Sequence, residues 1–201
     1  MELEHYAIDA EMSRVTVRPF ASGTLSAAAQ IPTLTVRDLT GEAHFRAGTL
    51  DSASVQIKIE AASFTVVEDV SEQERQEIEH TLHRDILEAD KYPEIVFSTS
   101  NVSASKAGDG QYWINLIADV SLHGVTGSEP VAAQVVVAGD TLFVRGELTV
   151  VHSTYKIKPV ALAGGALRLR DEVKCLFDIV ARRQPEEPAD STKRMLAVEG
   201  S

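Results

Sequence analysis

Cysteine is almost missing from this chain. Cys175 is the single one in 201 residues, so no disulfide can close within it, and its place in an alternating segment suggests a buried thiol. Basic residues are also in short supply, 19 Lys and Arg against 30 Asp and Glu, which leaves a net charge of −11. A surface of that sign repels a phosphate backbone and offers nothing to anionic headgroups. Nucleic acid is therefore not expected as a partner, and a lipid would have to be carried inside. No apolar run is long enough to span a membrane, and no internal repeat or low-complexity block occurs. The opening MELEHYAID has two acids in its first four residues and lacks the apolar stretch of a signal peptide. With the lone cysteine, this gives the expectation of a cytoplasmic protein, or a periplasmic one were a leader to precede this sequence.

What is present is an ordinary globular balance, 44% hydrophobic and 24% charged, sufficient to enclose a sizeable core. Residues 1–183 read as one domain. Residues 184–201, QPEEPADSTKRMLAVEGS, carry two prolines, mixed charge and no period, and are expected to form a disordered tail.

Most of the domain alternates with the period of two that marks a half-buried strand. Val15 and Val17 alternate with Thr16 and Arg18, Leu34 and Val36 resume the pattern after a small, polar excursion at 21–33, and Val55, Ile57 and Ile59 keep it without error. Ile95 with Phe97, then Ile114–Leu122, 131–137, Leu142–Val150 and Val173–Ile179 continue it. One segment departs from the period. Ser71 with Glu74 three residues on forms a capping box, and Ile78, Leu82, Ile86 and Leu87 follow at helical spacing, so a helical insertion is predicted near 71–89, ending before Tyr92-Pro93. About eight strands separated by turn signals make an all-β fold, a sandwich or an extended antiparallel barrel, and closure into a barrel removes exposed edges. The interior of a barrel that size is filled by side chains or holds one small ligand.

Several motifs resemble the YceI-like family. The stretch from Leu82 to Val102, LHRDILEADKYPEIVFSTSNV, resembles its passage from a helix end through Tyr-Pro into a strand. Leu122-His123-Gly124-Val125-Thr126 resembles its hairpin, and Tyr6-Ala7-Ile8-Asp9 with Ser13 its opening. Lys158-Pro159, Gly164-Gly165 and Asp171-Glu172-Val173 resemble a closing pattern, and the likeness covers about residues 5–183. This chain departs from it at Arg18-Pro19-Phe20 and the Ser26–Ala29 run, and at Gly127-Ser128-Glu129 before Pro130, which reads as a lengthened hairpin. The resemblance implies a lipocalin-like barrel holding a long apolar molecule, isoprenoid or lipid-like.

On that basis Val17, Phe20, Val36, Ile57, Ile59, Phe64, Leu87, Tyr92, Phe97, Leu116, Val120, Leu148 and Phe177 are expected to line a ligand pocket, with the helix as its lid. His83, His123, His152 and Lys156 are expected at the rim, where polar groups orient a ligand. No cofactor, catalytic residue or metal site is expected. His80 and His83 share a helix face, but a metal needs ligands from other elements too, and His83-Arg84-Asp85 lacks every other kinase element. Three functional readings follow: a non-catalytic carrier, a regulatory module acting through its acidic surface or as a homodimer, and an isomerase or hydrolase using His83 or His123.

Overall fold

The computed structural model describes residues 3–24, 31–46, 48–99, 102–158, 160–162 and 167–185. Among these, thirteen strands make one antiparallel sheet: β1 (Leu3–Ile8), β2 (Arg14–Ser22), β3 (Leu34–Val36), β4 (Leu39–Arg46), β5 (Thr49–Glu60), β6 (Phe64–Val66), β7 (Glu94–Thr99), β8 (Val102–Gly108), β9 (Gln111–Leu122), β10 (Val125–Ala138), β11 (Thr141–Val151), β12 (Ala161–Leu162) and β13 (Leu167–Arg183). Helix α1 (Glu72–Thr81) falls between β6 and β7.

The expected barrel is present. Strands β1, β4, β5, β7, β9, β10, β11 and β13 follow one another around the sheet, and β13 returns to β1 with Tyr6 opposite Arg183 and Ile8 opposite Ala181. Eight strands thus close on themselves and leave no edge along that path.

Four of the eight staves are built from two strands in succession. β1 and β2 lie one after the other along β13, with Ile8 opposite Ala181 and Val17 opposite Cys175. β4 and β3 lie in the same way along them, β5 and β6 along those, and β7 and β8 along β9. The first interruption shows how such a break is held. Asp9 N–H donates to the Val180 carbonyl at 2.8 Å, the Ser13 hydroxyl donates to the Asp9 carbonyl at 2.7 Å, and Val180 N–H donates to Ser13 Oγ at 3.0 Å. Residues 9–13 leave the ladder, and Ser13 replaces the backbone partner that Val180 would otherwise lack. This is the physical content of the Tyr6–Asp9 and Ser13 motif.

The capping box forms as predicted, with Ser71 and Glu74 exchanging bonds, but the α-helix is shorter than the segment 71–89. It ends at Thr81 and passes into a wider π-type turn over Leu82–Ile86. Strand β8 was not anticipated, because its sequence, VSASKAG, carries little apolar alternation. The residues that lengthen the hairpin lie in paired strand rather than in its turn. Gly127 and Glu129 belong to β10, opposite Val120 and Ala118, and the turn itself is only His123-Gly124. The tail from 186 onward, the Ser26–Ala29 run, Pro159 and Gly164-Gly165 lie outside the described residues.

The core has two parts. One gathers under α1, around Leu34, Leu82, Leu87, Val120, Val150 and Tyr155; the other fills the opposite end, around Tyr6, Phe45, Leu50, Ile114, Val135 and Leu142. Gly146 shapes the passage between them. A Cβ there would come within 2.6 Å of Phe177 Cζ and of the Ala132 carbonyl oxygen, so the ring of Phe177 occupies the space this glycine leaves.

Candidate functional site: a two-chambered apolar cavity

Inward-facing residues of the staves enclose two adjoining cavities. The one beneath α1 has a volume of about 420 Å³ and the one at the opposite end about 160 Å³. Val15, Ile59, Phe97, Leu148 and Cys175 line both, so these five form a waist between two chambers. The larger volume falls in the range of roughly 300–1,000 Å³ usual for small-molecule sites, and a dry apolar cavity of about 150 Å³ can hold a benzene-sized guest.

The smaller chamber is walled by aliphatic and aromatic side chains, with the Cys175 thiol at its waist end. Burial pushes that thiol up to about 12, with the negative charge of Glu129 adding to the effect. It is a neutral wall group, not a nucleophile.

The larger chamber is roofed by the helical segment, which contributes Ile78, Leu82, Ile86 and Leu87. Among the described residues its wall carries few polar groups: Glu77 and Thr81 from the roof and His152 from the short turn after β11. Desolvation depresses the His152 pKa below the usual imidazole value, and Asp171 opposes this only in part. His152 is therefore neutral at pH 7, a hydrogen-bonding group that brings no charge into an apolar space.

Polar bonds to one edge strand fix the roof. β6 pairs with β3 on one side, and side chains from the helical segment meet its backbone on the other. Glu79 Oε1 accepts from Val66 N–H at 3.1 Å and from the Thr65 hydroxyl, Arg75 donates to the Val66 carbonyl, and His83 Nε2 donates to the Phe64 carbonyl at 2.8 Å. The helix covers an edge that would otherwise expose unpaired backbone groups.

Most of the anticipated lining residues sit on the chamber walls. Val17, Phe64, Leu87 and Val120 line the larger chamber, Ile57, Leu116 and Phe177 the smaller, and Ile59, Phe97 and Leu148 both. Three do not. Phe20 is 42% exposed, because Val15, Val17 and Pro19 take the inward positions of β2 and the alternation turns Phe20 to the outer face. Val36 is buried in the core beneath α1 without facing the cavity. Tyr92 packs against His123 and Gly124 outside the walls.

Of the four rim residues, only His152 reaches the cavity. His83 is taken up by its bond to β6. His123 lies 3.5 Å from Glu88 with 10% of its side chain exposed, and its Nδ1 has no hydrogen-bond partner among the described residues. Lys156 is exposed, in a left-handed turn at φ 58°. Ile78, Ile86, Ile95, Val150, Ile157 and Val173 also line the larger chamber and were not singled out. The helical spacing held the signal for Ile78 and Ile86.

The YceI-like domain model matches residues 6–181. The chain belongs to the YceI-like family. A UPF0312 protein of Pseudomonas fluorescens is 30% identical over 107 residues, 53% of this chain and 50% of that protein, so this YceI-like chain aligns with about half the length of that relative. Among solved structures, BcnA of Burkholderia cenocepacia superposes with a TM-score of 0.65 at 19% identity, covering 86% of this chain and 98% of that one. A polyisoprenoid binding domain from Saccharophagus degradans gives 0.64 at 15% identity, covering 89% and 98%. A YceI protein of Campylobacter jejuni gives 0.55 at 14%, covering 79% and 88%. At these identities the likeness is one of fold.

Proposed function

We propose that this YceI-like protein is a non-catalytic carrier that holds a long apolar molecule, isoprenoid or lipid-like, inside the barrel. The observation that carries this reading is the pair of adjoining apolar chambers, which share five wall residues at the waist, the larger roofed by a helix. The name of the Saccharophagus degradans relative, a polyisoprenoid binding domain, supports the chemical class.

An apolar chain entering from beneath α1 would cross the waist toward the smaller chamber, leaving a polar end near His152. Each buried methylene contributes about 0.8 kcal/mol, so a five-carbon isoprene unit supplies about 4 kcal/mol before the costs of association and ordering. Recognition would then depend on length and shape, with His152 as a neutral donor or acceptor to orient the end group.

The test is purification under native conditions, extraction with organic solvent and mass spectrometry. One class of apolar compound is expected at near-stoichiometric amount, and Leu148→Trp at the waist is expected to reduce it sharply. A natively folded protein that yields no apolar compound and takes up no long-chain fluorescent probe would overturn the proposal.

The surface reading retains one observation. Trp113, Val136 and Phe143 stand exposed on the outer face of β9, β10 and β11, with Phe143 directly opposite Val136 and Trp113 diagonal to it. Light scattering on the wild type and on Trp113→Ser decides whether this face joins two copies: a dimer that the substitution dissociates supports it, and a monomeric wild type removes it.

A further inference from the structure

On the outer face of the barrel, on the side of β4 opposite the cavity-lining Ala43 and Phe45, the register of β1 and β4 brings His5 beside two residues far from it in the chain. His5 is directly opposite His44, and Glu42 precedes His44 by two residues, so all three project from the same face. The two imidazole rings are stacked, 4.4 Å between centroids and 6° between planes. Nε2 of His5 lies 3.2 Å from Glu42 Oε2, yet it is shielded from solvent and has no hydrogen-bond partner among the described residues. One ligand atom from each of the three residues falls within 4.8 Å of the others.

We propose that His5, Glu42 and His44 form a binding site for a divalent first-row transition metal of the zinc class. Two imidazole nitrogens and one carboxylate oxygen are the donor set such ions take, whereas magnesium and calcium favour sites made of oxygen alone. Ligands about 2.0–2.1 Å from a tetrahedral ion lie roughly 3.3 Å from one another, so the three must draw in by about 1.5 Å at most. Side-chain rotation of two half-buried histidines and an exposed glutamate supplies that movement without disturbing the ladder. The fourth position faces solvent and is open to water or to a ligand from outside.

The site has a structural consequence. β1 pairs with β13 on one side and β4 on the other, so an ion held by His5, Glu42 and His44 clips the first strand of the chain to its neighbour beside the seam where the barrel closes.

The experiment titrates the full chain with Zn²⁺ by calorimetry and records thermal melting with and without the ion. Saturable binding of one ion per chain and a raised melting temperature are expected. The paired substitution His5→Ala with His44→Ala should weaken binding by at least about tenfold, since loss of a mere outer-sphere partner already costs 10- to 100-fold. His80→Ala, on the exposed face of α1, should leave it unchanged. Circular dichroism confirms that the variants fold, which is expected for positions outside the core. Unchanged Zn²⁺ affinity in the double variant, a loss that follows His80 instead, or an equal response to Mg²⁺ overturns the proposal.

Discussion

The ring of Tyr92 lies 4.5 Å from that of His123, tilted by 49°, and its Cε1 edge stands only 2.6 Å from where Gly124 would carry a Cβ. Tyr92 closes the segment after the roof helix and His123-Gly124 forms the β9–β10 turn, so two separate motifs of the sequence are halves of one contact. Both turn residues have positive φ, 53° at His123 and 73° at Gly124, as a two-residue hairpin of the primed type demands.

Gly124→Ala should destabilise the fold by about 2 kcal/mol or more, combining the left-handed backbone cost with the collision against Tyr92. Chemical denaturation measures it. Adding Tyr92→Ala should remove the steric part alone, so the two substitutions together should cost less than the sum of their separate effects.

Glu79→Ala should loosen the roof. It leaves Val66 N–H and the Thr65 hydroxyl without their acceptor, at a cost of about 1–3 kcal/mol, whereas Glu79→Gln retains an acceptor oxygen and should cost less. Hydrogen exchange at Val66 should accelerate in the alanine variant, and a bound apolar probe should leave it faster than the wild type.

Cys175 should resist thiol reagents at pH 8 in the native protein, because burial holds its pKa at about 12, and should react fully, one thiol per chain, once denaturant is added. Rapid labelling without denaturant would show that the waist opens to water.

His152 gives a pH dependence. Its folded pKa lies below the ordinary 6.5, so the unfolded chain binds the proton more readily, and stability should fall as pH drops through 6.5 toward the folded value. Above 6.5 this contribution is constant. His152→Gln should flatten the curve just below 6.5, as followed by urea denaturation at a series of pH values.

The strands with strict alternation, such as β5 and β9, could be read directly from sequence, because one face had to be buried and the other wet. The capping box at Ser71 was equally plain. β8 was not, since its small polar residues take their place through pairing with β9 rather than through burial. Phe20 shows the limit of composition: the side chain is apolar, but the register of β2 turns it outward. His83 was placed at a rim by its helix, while its partner, the Phe64 carbonyl, depends on which strand lies beside that helix. His5 and His44 gave no signal, because only the pairing of β1 with β4 makes them neighbours.

The waist at Val15, Ile59, Phe97, Leu148 and Cys175 has a consequence for any guest molecule. A uniform tube would accept chains of every length on a sliding scale. A constriction instead divides them into two kinds: those that stop above it and fill one chamber, and those long enough to thread it and fill both. In the carrier proposed above, length would become a discrete property, read by five side chains.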